Sequence, residues 1–159
     1  MGESVTGFGA YSGIRVIELT EGIAGPYAAR FLADQGADVI KIESTDGDRY
    51  RNDPGFQVFN RNKRSVVLND DSELLKTADV VIASNTDEAD HARSLAPGAV
   101  IVSMPTWGSA GAMAEQSGSW QQVAAATGIG WNQVSWTEGP VHVVLPPVSY
   151  THLTLPTKA

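Results

Sequence analysis

The chain has 159 residues, a formal net charge of -7, no cysteine and 42% hydrophobic residues. This length and content suffice for a globular domain with its own core. The acidic balance argues against non-specific binding to nucleic acid or an anionic membrane, and the lack of cysteine excludes a disulfide scaffold and a thiolate nucleophile. Without a membrane-length apolar segment or a signal-peptide pattern, the sequence predicts a cytoplasmic protein.

A polar lead-in and a β-α-β unit open the chain. Residues 1–12 are polar and rich in glycine, which predicts a flexible lead-in. Residues 14–19 and 38–43 are short runs of mostly β-branched residues and are predicted strands. Between them, Pro26 fits the first turn of a helix and Gly36 fits its end. The pattern predicts two parallel strands joined by a right-handed crossover.

The turn between the first strand and this helix, residues 20–25, is a candidate site. It follows the carboxyl end of a strand and leads into a helix N-terminus, where unpaired N–H groups and the helix dipole favour anions. Gly22 and Gly25 leave space for a ligand to approach the backbone. The spacing is not the G-x-G-x-x-G of dinucleotide-binding proteins. Two interpretations stay open: a phosphate- or nucleotide-like ligand, or a plain Gly-Pro helix start.

Strands and helices continue to alternate after this unit. Residues 44–56 carry turn signals and are predicted to form a surface loop. The alternation indicates a Rossmann-like, doubly wound α/β fold with a mainly parallel sheet and flanking helices. Further predicted strands are residues 65–68, 80–83 and 99–103, and further predicted helices are residues 72–77 and 86–95.

Basic residues occur in two places that could face a ligand. Arg49 and Arg51 lie in the loop after the second strand, where the alternatives are solvated side chains or a ligand contact. Arg61, Lys63 and Arg64 precede the third strand and could pair with phosphates, although a solvated strand start is the alternative. The three histidines lie far apart without metal-ligand spacing, so no metal is expected; they are His91, His142 and His152.

Two stretches carry a family resemblance: RVIELTEGIAGPYAARFLADQGADVIKIE at residues 15–43 and FNRNKRSVVLN at residues 59–69. In this order they resemble motifs of the family III coenzyme A transferases (the CaiB/BaiF family, which includes formyl-CoA transferase and α-methylacyl-CoA racemase). The resemblance extends over residues 13–147. It implies that these residues are a truncated N-terminal α/β domain of a longer protein.

The resemblance also implies a function. Family members transfer CoA between an acyl-CoA and a small carboxylic acid, and the full-length parent is expected to be an interlaced homodimer. A basic residue follows the Lys-Ile-Glu strand in the family. Ser44 stands there in this chain, so Arg49 or Arg51 would have to replace it. The positions implied to bind CoA are Glu21, Gly22, Ile23, Ala24, Gly25, Pro26, Lys63, Arg64, Leu68, Ser84 and Asn85.

The family's catalytic aspartate precedes a helix similar to residues 118–128. That carboxylate attacks the acyl-CoA carbonyl and carries the acyl group as a mixed anhydride. Here Trp120 or Gln121 occupies its position, and neither can form an anhydride, so the chain alone is expected to be inactive. The alternatives are a non-catalytic structural half of a tandem-fused CoA-transferase and a fragment of an acyl-CoA racemase-like relative.

The last residues of the chain do not continue the alternation of strands and helices. VSYTHLTLPT, at residues 148–157, resembles a translated sequencing-library adapter of the kind found in metagenomic assemblies. Residues 148–159 are therefore predicted to be a non-native tail. The chain would then be an N-terminal fragment of its parent.

Overall fold

The computed structural model describes residues 9–132 and Gly139. The chain divides into two compact units, Met1–Met104 and Pro105–Ala159. No helix within the described residues is both long enough and apolar enough to cross a membrane. Some sequence predictions fall outside the described residues, namely those for residues 1–8 of the lead-in, for His142, and for residues 148–159 with His152.

The first unit contains a parallel sheet, whose strands are β1 (Arg15–Glu18), β2 (Asp38–Glu43), β3 (Arg64–Val67), β4 (Val80–Ala83) and β5 (Val100–Ser103). Their order is β3-β2-β1-β4-β5, and every neighbouring pair is parallel. The chain thus adds β2 and β3 on one side of β1 and then β4 and β5 on its other side, which is the doubly wound arrangement. The predicted fold class and the parallel pairing of the first two strands are confirmed.

The described helices are α1 (Ala24–Asp34), α2 (Phe56–Asn60), α3 (Ser72–Leu75), α4 (Thr86–Leu95) and α5 (Trp120–Ala126). The predicted bounds of α4 are confirmed. Gly36 follows the C-cap residue of α1, as predicted, and its φ of 96° favours glycine. There the N–H of Ala37 donates to the carbonyl of Leu32 at 3.0 Å, as in a Schellman motif.

Helix α2 was not predicted from the sequence. Five residues are too few to show a helical period. Tertiary packing supports this helix instead, because the ring of Phe59 meets Tyr27 of α1 edge-on with 5.9 Å between centroids. Residues 9–12, within the predicted lead-in, also have a tertiary contact: the Tyr11 N–H donates to Gln35 O at 3.1 Å.

The strands alternate their side chains between two apolar clusters, one on each face of the sheet. α1 covers one face, and α3 and α4 cover the other. Because side chains alternate along a strand, Val16 and Ile17 lie in different clusters. The α1 face holds Val16, Ala29, Ala33, Ala37, Val39 and Ile82. The opposite face holds Ile17, Ile40, Leu75, Val81 and Ala92.

In the second unit, α5 begins with a capping box. The Gln122 N–H donates to Ser119 Oγ at 3.4 Å, and the Ser119 N–H donates to Gln122 Oε1 at 2.7 Å. Just before it, the indole of Trp107 lies so close to Gly118 that a Cβ there would be 2.5 Å from Nε1. These contacts fix the start of the helix that was compared with the family's catalytic segment.

Candidate functional site

The β1–α1 turn, residues 20–25, lies where the sequence predicted a ligand. It follows the carboxyl end of β1 and leads into α1, whose N-cap residue Ile23 provides no side-chain hydrogen bond. The first N–H groups of α1 have no acceptor within the helix, and no side chain caps them. Ala24 presents its donor at the surface, whereas Gly25 is buried. Glu21 and Ala24 are exposed, and Gly22 is half-buried. The turn can therefore offer backbone donors and a helix dipole to an anion.

Gly25 permits a very close approach within this turn. A Cβ at this position would lie 2.0 Å from the Oγ1 of Thr20 and 2.4 Å from its Cβ. Thr20 is itself 3% exposed and cannot easily move, since its hydroxyl donates to Glu18 Oε1 at 3.0 Å. Any larger residue at position 25 must displace the start of α1 or the end of β1.

Beneath the turn lies a buried group of polar side chains, here called the ionic cluster, which consists of Glu18, Thr20, Lys41, Asp48 and Lys63. Glu18 is 0% exposed and Lys41 is 1% exposed. Glu18 and Lys41 are register partners on neighbouring strands. Their side chains lie on the α1 face of the sheet, because each follows an apolar residue of that face by two positions. Two carboxylates and two ammonium groups balance the cluster's formal charge.

Each ammonium group of the ionic cluster contacts Glu18 and one backbone carbonyl near the turn. Lys63 Nζ lies 2.7 Å from Glu18 Oε2 and donates to the carbonyl of Pro26 at 2.8 Å. Lys41 Nζ lies 3.4 Å from Glu18 Oε1 and donates to the carbonyl of Thr20. Charges can be buried when they are paired and hydrogen-bonded in this way.

Asp48 completes the cluster from the loop after β2. Its Oδ2 lies 2.9 Å from Lys41 Nζ, although the contact does not have hydrogen-bond geometry and this buried oxygen has no hydrogen-bond partner. Its Oδ1 accepts from the Tyr50 N–H at 2.8 Å. The loop is thereby held next to the turn.

The structure gives the predicted basic residues carboxylate partners within the chain. Arg61 contacts Asp34 at 2.7 Å. Lys63 contacts Glu18, and its side chain is only 2% exposed. Burial lowers the pKa of the Lys63 ammonium, although the Glu18 carboxylate opposes this shift. The structure brings Lys63 to the turn, where its ammonium contacts protein groups. CoA binding by Lys63 stays a prediction.

Arg64 is not brought to the turn. It begins β3, and its guanidinium lies 2.5 Å from the carboxylate of Asp38, at the amino end of β2. Burial would raise the pKa of the Asp38 carboxyl, but hydrogen bonds from Arg64 and Arg15 outweigh it and lower the pKa. The turn lies at the opposite, carboxyl edge of the sheet. CoA binding by Arg64 also stays a prediction.

The two loop arginines differ in their surroundings. Arg51 binds Glu43, with Nε 3.1 Å from Oε2. Burial opposes ionisation of Glu43, but the hydrogen bonds from Arg51, Ser65 and the Asp48 N–H, with the charge of Arg51, together outweigh it and lower the pKa of this carboxyl. The Arg49 side chain is 71% exposed, lies 2.9 Å from Glu21, and stacks 5.0 Å from the ring centre of Tyr50. Arg49 therefore borders the turn and remains accessible.

Three further predicted positions follow strands at the carboxyl edge of the sheet. Ser84 comes after β4, where its Oγ donates to Leu19 O at 3.4 Å. Asn85 is the N-cap of α4, with its side chain accepting from the Glu88 N–H at 2.9 Å. Leu68 follows β3 and is half-buried. Ser84 is thus adjacent to the end of β1, whereas the Asn85 side-chain oxygen already accepts a hydrogen bond from α4.

In the second unit, the positions compared with the catalytic acid lie at the start of α5. Trp120 is half-buried and Gln121 is exposed. The sequence has one acidic residue between positions 105 and 132, which is Glu115. Across residues 9–132 and 139, no three histidine, aspartate or glutamate side chains are grouped as a metal site would require.

Most of the ionic cluster was not predicted from the sequence, namely Glu18, Lys41 and Asp48. A signal was present, since Glu18 and Lys41 interrupt the apolar runs of strands that a parallel sheet buries on both faces. A charged residue in such a strand needs a buried partner. The identity of the partner could not be obtained from the sequence, because it depends on strand order and register.

Fold and turn together define a class of protein: a doubly wound α/β domain with a helix-leading turn after its first strand, where such domains bind phosphate-containing ligands. Comparison with known proteins identifies the family. Residues 11–153 match the family described as CoA-transferase family III. The chain belongs to CoA-transferase family III.

Individual relatives agree with this assignment. Succinyl-CoA:mesaconate CoA-transferase of Haloarcula marismortui is 41% identical over 95 residues, covering 46% of this chain and 24% of that protein. Formyl-CoA:oxalate CoA-transferase of Streptomyces coelicolor is 30% identical over 156 residues, covering 82% and 38% respectively.

Solved structures show the same similarity. Rv3272 of Mycobacterium tuberculosis superposes with a TM-score of 0.77 and 28% identity, covering 91% of this chain and 47% of that one. A CAIB/BAIF family protein of Brucella suis gives a TM-score of 0.71 and 27% identity, covering 84% and 43%. This chain spans less than half the length of each of these relatives.

Proposed function

We propose that this chain is the N-terminal, CoA-binding part of a family III CoA-transferase, whose parent transfers CoA between an acyl-CoA and a small carboxylic acid. The observation that carries the proposal is the β1–α1 turn, which presents the uncapped start of α1 at the carboxyl edge of β1 in a chain of this family. Two relatives are a succinyl-CoA:mesaconate and a formyl-CoA:oxalate CoA-transferase, which supports transfer of CoA to a carboxylic acid. We further propose that the full-length parent is an interlaced homodimer and is located in the cytoplasm.

Within this site, the backbone N–H groups of residues 21–25, which lead into Pro26, bind the phosphates of CoA, and Arg49 replaces the basic residue that the family has at the position of Ser44. Arg49 is preferred to Arg51 because its side chain is more exposed, 71% against 50%, and because a buried carboxylate, Glu43, already binds Arg51. An arginine can contact a phosphate through two parallel hydrogen bonds. Ser84 borders the same edge of the sheet.

This copy also lacks the catalytic aspartate of the family. Trp120 or Gln121 stands at the position of that residue, and neither side chain has the carboxylate needed to form an acyl anhydride. The local role of the chain is then CoA binding or structural support of a CoA site. A tandem-fused parent would supply the aspartate from its other half.

The test is an NMR titration of the isotope-labelled 159-residue chain with CoA. We expect weak binding, on the order of millimolar or about -4 kcal/mol, because the chain is less than half the length of its relatives. Arg49→Ala should weaken CoA binding about tenfold through the loss of a charge-assisted contact. Pantetheine, which lacks the nucleotide and its phosphates, should bind equally well to both forms.

Arg93→Ala is the matched control, since Arg93 is an exposed arginine with one carboxylate partner, Asp90. The same weakening in this variant, or no binding of CoA by the unaltered chain, would contradict the site. A second arm mixes the chain with an acyl-CoA and looks for a hydroxylamine-sensitive acyl-enzyme. Its formation would contradict the missing nucleophile.

A further inference from the structure

Lys63 contacts three structural elements with one buried ammonium group. Its Nζ lies 2.7 Å from Glu18 at the end of β1, 2.8 Å from the carbonyl of Pro26 in the first turn of α1, and 3.1 Å from Asn60 Oδ1 at the end of α2. A lysine ammonium has three N–H donors, so these acceptors can use all of them. A phosphate could contact Lys63 only by displacing one of them.

Lys63 and Lys41 hold the two ends of the same turn. Lys41 donates to the carbonyl of Thr20, where the turn begins, and Lys63 donates to the carbonyl of Pro26, just after the turn ends. The Glu18 carboxylate joins the two ammonium groups through its two oxygens. Between these points Gly25 lies directly against Thr20. The backbone path of residues 20–26 is therefore fixed by side chains beneath it.

We propose that Lys63 is a positioning residue, which holds the start of α1 relative to the end of β1 and so sets the direction of the N–H groups in the β1–α1 turn. The identity of the ligand, CoA, rests on the proposed function; the positioning itself does not. Precise placement of donors matters because a ligand gains little from N–H groups that point past it. Lys63 thus acts on binding through Pro26 and Glu18.

The experiment compares Lys63→Met with Leu75→Ala, in the isotope-labelled chain and without ligand. Methionine keeps an unbranched stem but removes the ammonium, and Leu75 is 0% exposed in the apolar cluster on the other face of the sheet. We expect Lys63→Met to shift the amide resonances of Gly22, Ala24 and Gly25 more than Leu75→Ala does. Equal shifts at these amides in both variants would overturn the positioning role.

The second readout is the affinity for CoA at a temperature where both variants are folded. Lys63→Met should weaken CoA binding about tenfold, which is about 1.4 kcal/mol, while Leu75→Ala should change it by less than about twofold. Unchanged affinity in Lys63→Met overturns the proposal. If the unaltered chain binds no CoA while the turn amides still move in Lys63→Met, the proposed function fails and the positioning role is supported.

Lys63→Arg keeps the experiment decisive if Lys63→Met does not fold. The charge and its pairing with Glu18 are kept, but a planar guanidinium cannot direct three N–H groups as an ammonium does. We expect a folded chain whose turn amide resonances are displaced from those of the unaltered chain. Turn amides identical to those of the unaltered chain would overturn the proposal.

Discussion

The face of the sheet covered by α1 is divided into two halves of opposite chemistry. In the amino half, Val16 and Val39 pack against Ala29 of the helix. In the carboxyl half, Glu18 and Lys41 occupy the equivalent positions two residues further along the same strands. Val16 and Glu18 are both 0% exposed, so burial does not distinguish the halves. The apolar half packs without directional requirements, whereas the ionic half must satisfy each charge with a specific partner.

This difference predicts unequal responses to substitution. Removing methyl groups from the apolar half costs their transfer free energy and leaves a small cavity. Removing one charge from the ionic half leaves a buried charge in the cluster without its balancing partner, which costs more. The ionic half also lies under the β1–α1 turn, so its order determines the geometry of the proposed ligand site. The apolar half stabilises the fold, and the ionic half connects the fold to the site.

The largest effect is expected for Glu18→Ala, compared with Val16→Ala in the same strand. Loss of the Glu18 carboxylate leaves Lys41 and Lys63 without their shared partner, and we expect the free energy of unfolding to fall by about 3–5 kcal/mol. Val16→Ala should cost about 2 kcal/mol, the transfer of two methyl groups plus a cavity term.

Urea unfolding followed by far-ultraviolet circular dichroism measures the free energy of unfolding of both variants. Dichroism is preferred to fluorescence because all tryptophans lie beyond residue 104, at positions 107, 120, 131 and 136. A smaller loss for Glu18→Ala than for Val16→Ala would mean that the ionic half is not the more sensitive one.

The fold could be predicted from the sequence because its signals are local and periodic. The apolar runs of β2 and β4 and the Gly36 stop of α1 each depend on a few adjacent residues. α2 could not be predicted, since one helical turn has no period and depends on the contact between Phe59 and Tyr27. The position of the β1–α1 turn followed from the same local signals.

A middle-sized effect is expected for Gly25→Ala, which lies against Thr20 of the ionic cluster. The new Cβ would lie 2.0 Å from Thr20 Oγ1, so α1 or the end of β1 must shift, at a cost of about 1–3 kcal/mol. Gly98→Ala is the matched control, because no atom lies within 4 Å of a Cβ there, and it should change stability by less than about 0.5 kcal/mol. Equal unfolding midpoints for the two variants would show that Thr20 can move aside.

The candidate site was only partly predictable, for a physical reason. The sequence indicates that Arg61, Lys63 and Arg64 are cations, but their partners come from elements far away in the chain. Asp34 for Arg61, Glu18 for Lys63 and Asp38 for Arg64 are specified by strand order and helix packing. Similarity to a family motif gives residue types, whereas the accessibility of each charge is a tertiary property.

The smallest effect is expected at the other end of α1, where the charges are more exposed. The hydrogen bond from Arg61, together with those from Arg30 and Asn62, lowers the pKa of the Asp34 carboxyl to about 2. A lowered carboxyl pKa stabilises the folded state at pH values above the ordinary aspartate pKa, and this stabilisation is lost as the pH falls from about 4 to about 2. Solvent screening limits its size, so Asp34→Asn should cost about 1 kcal/mol at neutral pH.

Urea unfolding as a function of pH should therefore show the two forms converging below pH of about 2. Asp90→Asn, at an exposed carboxylate that contacts Arg93, is the control and should cost less at neutral pH. A constant difference between Asp34→Asn and the unaltered chain from neutral pH to pH of about 2 would show that the variant acts through packing and not through the charge of Asp34.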